Sequence, residues 1–127
     1  MSRGAVNQKY TIEKDRVNHA GGVMLYRIRA LRDIPEHRVK AGDYGGWISS
    51  EYNLSRDGAA WVGGNAIVCE RARVGGDALV TGNAGVFGNV KISGNCVIRG
   101  NVFLTGRLRI GDDYRGGPRG VIQTLPV

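Results

Sequence analysis

From Trp61 to Tyr114 the chain repeats every six residues: WVGGNA, IVCERA, RVGGDA, LVTGNA, GVFGNV, KISGNC, VIRGNV, FLTGRL, RIGDDY. The second position is always a branched aliphatic: Val62, Val68, Val74, Val80, Val86, Ile92, Ile98, Leu104 and Ile110. The sixth is Ala66, Ala72, Ala78, Ala84, Val90, Cys96, Val102 and Leu108, broken only at Tyr114. Glycine fills most fourth positions and Asn or Asp most fifth positions. Those residues tolerate the positive φ of a tight corner. Each hexad therefore supplies one short strand and one turn. A hexad cannot bury its own aliphatic residue, so consecutive hexads must stack into a solenoid. The 21 glycines of this 127-residue chain, well above the usual ~7% share, fit frequent corners better than one central core.

The aliphatic residue at i and the small residue at i+4 resemble the hexapeptide-repeat family. That resemblance covers 61–114 and implies an all-β fold, a left-handed parallel β-helix with three hexads to a triangular coil. Nine hexads then make about three coils, and residues 18 apart stack at the ~4.8 Å spacing of paired strands. The outward first positions fall into three columns: Trp61, Leu79, Val97; Ile67, Gly85, Phe103 with Phe87 nearby; and Arg73, Lys91, Arg109. Two walls are apolar outside as well as inside, and the third is a basic ladder.

Contiguous exposed apolar residues usually mark an interface. Hexapeptide-repeat proteins commonly trimerise along their helix edges, so the resemblance implies a homotrimer through Trp61, Leu79, Val97, Ile67 and Phe103. The alternative is that an end of the chain folds back over these walls. Three stacked cations repel one another. They are either a solvated face paired with acids such as Asp112 or Asp113, or a site whose anion offsets the repulsion through charge-assisted hydrogen bonds. Arg99 adds a charge on a different wall. Arg71 and Arg107 stand at corners two coils apart and form no continuous ladder.

Residues 1–60 break the rhythm and are read as an N-terminal β cap with its connecting segment. Met24–Leu31 alternates Tyr26 and Ile28 against Arg27 and Arg29, as a half-buried strand does. Tyr10–Val17 is a partner strand, with Ala20-Gly21-Gly22 as the turn. An antiparallel cap would cover the open first coil, with Trp47, Trp61 and Tyr44 as plugs. The segments LYRIRALRDI, VKAGDYGGWISSEYNLS and AWVGGNA resemble prophage-encoded hexapeptide-repeat proteins described only as transferase-like, over about residues 24–106. Residues 115–127 form a tail that either caps the last coil or crosses to a neighbouring subunit.

Composition bounds the function. The formal net charge of +7 favours anionic partners such as nucleotides, phosphate-bearing molecules or acidic proteins. Cys69 and Cys96 suggest no disulfide framework; the hexad register sends Cys69 outward and Cys96 inward, so they should not pair. No apolar run approaches the ~20 residues of a membrane span, and residues 1–10 lack the apolar stretch of a secretion signal. A cytoplasmic protein is expected, in the host cytoplasm if phage-encoded, with no membrane partner.

Three classes of function remain. Acyltransferases of this family use a histidine base near a subunit interface with an acyl-CoA donor. His19 and His37 both lie outside the hexads, so that analogy rests on the fold alone. Glu70, Asp77 and Asp112 are too scattered for a carboxylate pair, and no metal-ligand spacing is present. Neither catalytic residues, nor a metal, nor a cofactor is expected. The second class is a non-catalytic binder of a phosphate-bearing small molecule, in one form a sponge for a host nucleotide signal that counters host defence. Its contacts would be Arg73, Lys91, Arg109 and Arg99, with Phe87 or Phe103 stacking on a base. The third class is a structural or protein-blocking module that uses the apolar walls. Extended nucleic acid is disfavoured, because the ladder is short and has no interleaved aromatics on its own face. Thr81 and Thr105 fall on different walls, so no ice-binding threonine column forms. The sequence favours the second class.

Overall fold

A computed structural model of the chain describes the backbone of residues 9–20, 22–111, 115–116 and 119–123, and the side chains of 9–14, 17 and 22–111. Among the described residues, fourteen strands run in chain order. The first three are β1 (Tyr10–Ala20), β2 (Val23–Ala30) and β3 (Tyr44–Ile48). Very short ones follow: β4 (Trp61–Val62), β5 (Ile67–Val68), β6 (Arg73–Val74), β7 (Leu79–Val80) and β8 (Gly85–Val86). The rest are β9 (Asn89–Ile92), β10 (Val97–Ile98), β11 (Asn101–Thr105), β12 (Arg107–Ile110), β13 (Arg115–Gly116) and β14 (Arg119–Gln123). They build a parallel β-solenoid of about four turns.

Every third hexad lands on the same wall. One wall is β4-β7-β10-β13, another is β6-β9-β12, and the long wall is β1-β2-β3-β5-β8-β11-β14. The 18-residue stack is seen directly, as Trp61↔Leu79↔Val97, Ile67↔Gly85↔Phe103 and Arg73↔Lys91↔Arg109. The second-position aliphatics from Val62 to Leu104 are fully buried, as are the sixth-position residues from Ala66 to Val102. Leu108 and Ile110 are only partly buried against this core.

The corners explain the glycines. The fourth residue of each hexad lies at positive φ from Gly64 to Gly106, and at Gly64, Gly76, Gly82 and Gly88 the carbon that glycine lacks would crowd the backbone of the next coil. A Cβ on Gly82 would sit 2.7 Å from the Gly100 nitrogen. Among the described residues Glu70 alone takes this corner with a side chain, at φ 60°. Its carboxylate accepts a 2.7 Å hydrogen bond from the Gly88 amide one coil away. That bond offsets part of the cost of a non-glycine residue in the left-handed region.

The ladder runs past both boundaries that the hexad count sets, which is why about three expected coils become about four. At the far end β10 pairs with β13 and β11 with β14 in the same 18-residue register. The tail thus begins by continuing the solenoid. At the near end Trp47↔Ile67, Ile48↔Val68 and Leu54↔Val74 pair in parallel, offset by 20 residues. Ile48 and Leu54 keep the six-residue spacing, and two extra residues between Leu54 and Trp61 shift the frame. The antiparallel pair β1–β2 then extends β3, with an irregularity in β1 between Glu13 and Val17.

Four placements differ from the sequence reading. Trp61 is only 2% exposed, because the backbone at Gly45 presses on its ring; a Cβ there would meet Trp61 Cζ2 at 2.8 Å. It is a plug, and it leaves the apolar wall assigned to assembly. Tyr44, expected as a plug, is 45% exposed, and Trp47 is half-buried on the outside of the long wall. Cys69 points out of the coil by register yet is as buried as Cys96, and the two are not joined in a disulfide.

Candidate anion-binding face

The β6-β9-β12 wall carries the basic ladder. Arg73, Lys91 and Arg109 hold consecutive ladder positions in one column, and Asn89↔Arg107 form the neighbouring column on the same wall. Arg71 continues that second column by repeat spacing, so Asn89 separates the two corner arginines, as the sequence reading has it. Arg107 and Arg109 are exposed; Arg73 and Lys91 are half-buried.

The half-burial comes from a residue outside the hexads. Tyr52 sits in a short turn, Glu51–Asn53, that folds over the top of this wall. Its ring centroid lies 5.2 Å from the Arg73 guanidinium carbon and 5.4 Å from Lys91 Nζ. Arg73 Nη1 also donates to the Tyr52 carbonyl at 2.8 Å. Lys91 Nζ donates to the Arg71 carbonyl and to Asn89 Oδ1, each at 2.6 Å. Both cations are therefore held in place while retaining further donors, since an ammonium has three and a guanidinium five. Tyr52 itself remains 47% exposed.

The turn is held from below by Asn53, which is fully buried. Its Oδ1 accepts from Ser49 N, Ser49 Oγ and Ser50 N at 2.8–2.9 Å. Its Nδ2 donates to the carbonyls of Ala72 at 2.7 Å and Glu70 at 3.3 Å. An uncharged amide can satisfy donors on one side and acceptors on the other, which is what lets it lie in the core. Leu54 follows as a ladder residue, fully buried. Tyr10, also buried, donates from its hydroxyl to the Leu54 carbonyl at 2.8 Å. Burial pushes the Tyr10 phenol up to about 12, partly opposed by Arg56 and Arg73.

Two grooves flank the Tyr52–Arg73–Lys91 cluster. One, about 390 Å³, is lined by Glu51, Tyr52, Ser55, Arg56, Asp57 and Arg73. The other, about 460 Å³, is lined by Asn89, Lys91, Arg107, Leu108 and Arg109. The first has both signs of charge, with Arg56 paired to Glu51. The second has cations and an amide.

The expected contacts do not all converge. Phe87 and Phe103 are paired on the long wall, with ring centroids 4.9 Å apart, folded into the space that Gly85 leaves open. Arg99 follows β10 on the remaining wall and is exposed. Their hexads differ from those of the ladder by one or two in the three-hexad count, so one chain puts them on other faces. The aromatic that does reach the ladder is Tyr52. It escapes a hexad search because it precedes the frame shift, although the six-residue spacing of Ile48 and Leu54 marks its segment as part of a coil.

Elsewhere, His37 Nε2 donates to the Asp77 carbonyl at 2.9 Å, away from the ladder. The side chain of His19 lies outside the described residues, as do Asp112 and Asp113. Among the described residues no group of three or more His, Cys, Asp or Glu could hold a metal ion. Among the described residues no helix is long and apolar enough to cross a membrane. No protein-family model matches the chain, and no curated protein sequence matches it.

Proposed function

We propose that this chain is a non-catalytic β-solenoid protein of the hexapeptide-repeat kind that binds a phosphate-bearing small molecule on the β6-β9-β12 wall. The observation that carries this reading is the single column of Arg73, Lys91 and Arg109 in ladder register, with Arg73 and Lys91 fixed by Tyr52 and by backbone carbonyls. Cations held at strand spacing are unfavourable alone, and a phosphate group between them exchanges repulsion for several charge-assisted hydrogen bonds. Sequestration of a nucleotide signal is the form of this activity that the prophage-type resemblance suggests.

The test is calorimetric titration with phosphate, pyrophosphate and a panel of linear and cyclic nucleotides at low and physiological salt. Saturable uptake that weakens with salt supports the reading. No uptake of any member at either salt concentration rejects it. An acyl-CoA belongs in the same panel, because a donor-binding acyltransferase would also use the ladder. Variants of His19 and His37 then separate the two: a binder keeps its affinity, whereas an enzyme relying on either histidine loses turnover.

The apolar exterior belongs to the same proposal. Ile67 and Phe103 on the long wall, and Leu79 and Val97 on the wall without the ladder, remain at least partly exposed. They are the residues through which we propose that the chain assembles as a homotrimer, with Trp61 withdrawn from the set.

A further inference from the structure

The two grooves beside the ladder differ in charge, and that difference orients a ligand. Among the described residues, the groove at Asn89, Lys91, Arg107 and Arg109 is lined by three cations, an amide and Leu108. The groove at Tyr52, Ser55, Asp57 and Arg73 balances two carboxylates, Glu51 and Asp57, against two guanidiniums. A polyanion gains in the first and is repelled by carboxylates in the second. A neutral moiety with hydroxyl donors finds carboxylate acceptors in the second, at Glu51 and Asp57. The ring of Tyr52, which lines the second groove, lies 5.4 Å from Lys91 Nζ, which lines the first; the Tyr52 backbone is pinned by the buried Asn53 on one side and by Arg73 on the other.

From this juxtaposition we propose that the occupant is a nucleoside polyphosphate. Its phosphate chain lies over Lys91, Arg107 and Arg109, its base rests against Tyr52, and its sugar hydroxyls point towards Asp57 and Ser55. The inference rests on the anion-binding reading above and adds to it a polarity, a stacking residue and a ligand class. Tyr52, rather than Phe87 or Phe103, is then the residue that selects a base. A half-exposed aromatic ring fixed next to cations is the usual platform for one.

The experiment is a paired titration of the full chain with inorganic tripolyphosphate and with the four ribonucleoside triphosphates. At least one nucleotide is expected to bind more tightly than tripolyphosphate by roughly five-fold or more, the low end of base-stacking contributions. In Tyr52→Ala that preference should vanish, the nucleotide losing roughly five-fold more affinity than tripolyphosphate does, and Tyr52→Phe should retain it. Arg107→Ala with Arg109→Ala should weaken tripolyphosphate and nucleotides together. Circular dichroism checks that each variant is folded; the half-exposed Tyr52 side chain is not part of the core. Equal binding of tripolyphosphate and every nucleotide overturns this inference and leaves the anion-binding reading standing. Equal loss of both probes in Tyr52→Ala also overturns it. If neither probe binds the unmodified chain, both proposals fall.

Discussion

Asn53 Nδ2 donates to the Ala72 carbonyl across 2.7 Å of protein interior, and this bond ties the turn that carries Tyr52 to the coil that carries Arg73. Ser50 closes the same turn with a capping box. Because Asn53 is fully buried, removing its amide leaves donors at Ser49 and Ser50, and acceptors at Glu70 and Ala72, without their partner. Asn53→Ala is expected to cost roughly 2–4 kcal/mol in denaturant unfolding. Asn53→Asp should be worse than Ala, since a carboxylate would face the Ala72 carbonyl with no proton to donate. An Asp variant as stable as the unmodified chain would remove Asn53 from its structural role.

The corner positions make an ordered prediction. Gly82→Ala combines a positive φ of 73° with a Cβ 2.7 Å from the Gly100 nitrogen, so backbone must move in two coils. A loss of about 2 kcal/mol or more is expected from strain and overpacking together. Glu70→Gly relieves the left-handed strain but gives up the carboxylate bond to the Gly88 amide. These effects oppose one another, so its change should stay within about 1 kcal/mol. Thermal unfolding of the two variants beside the unmodified chain checks the order. A Gly82→Ala variant as stable as the unmodified chain would mean that the corner tolerates side chains generally.

The repeat was legible because each hexad repeats one physical problem, an inward aliphatic residue followed by a corner. Nothing about Val62 through Leu104 needed more than counting by six. The chain resists counting where two coils are not alike. The two-residue shift between Leu54 and Trp61 conceals that Ile48 and Leu54 already stand in the ladder. Trp61 reads as outward because its hexad says so, while its burial depends on Gly45 lying across the ring, a contact between distant segments. The ladder of Arg73, Lys91 and Arg109 followed from the 18-residue period. Tyr52 did not, since its position over the ladder is set by the buried hydrogen bonds of Asn53 rather than by any local pattern.

Alkaline pH should first raise and then lower stability. Lys9 is buried with Nζ 2.8 Å from the Ala60 carbonyl. Desolvation, aided by Arg32 and opposed by Asp57 and Asp77, lowers its pKa from 10.5 to about 8. The unfolded chain binds this proton more readily, so stability is reduced below pH 8 and recovers as pH rises towards 10.5. Burial, with Glu70 adding to it, raises the Cys69 thiol from 9.0 to about 11. Tyr10 is raised from 10.0 to about 12. Those two contributions are complete below pH 9 and pH 10 and are lost as pH climbs through the raised values. The melting temperature should therefore increase between pH 8 and 9, where Lys9 titrates ahead of Cys69 and Tyr10, and fall above about 10. Lys9→Met should abolish the early rise; a rise that persists in that variant would assign it to another group.

Assembly can be read from mass. If Phe103 and Ile67 on the long wall help to form the trimer interface, light scattering should give three times the chain mass, and Phe103→Glu should give a single chain. A charge placed in a packed apolar contact commonly costs several kcal/mol, enough to dissociate a trimer of ordinary affinity. Phe103 is 39% exposed, so the substitution should leave the fold of the separated chain intact by circular dichroism. A trimer unaffected by Phe103→Glu would move the contact to the wall of Leu79 and Val97.

The ladder should act as a unit, and a charge on another wall should not. Arg109→Gln removes one of three stacked cations and a pair of possible charge-assisted hydrogen bonds, which at an exposed site corresponds to about a ten-fold loss of tripolyphosphate affinity. Arg99→Gln removes the same formal charge from the wall of β10, and at physiological salt its effect should stay within about two-fold, since the Debye length is ~8 Å. Lowering the salt should widen the contribution of Arg99 while leaving Arg109 dominant. Equal effects of the two substitutions at physiological salt would mean that the anion responds to net charge alone, and the column of Arg73, Lys91 and Arg109 would then have no special claim as a site.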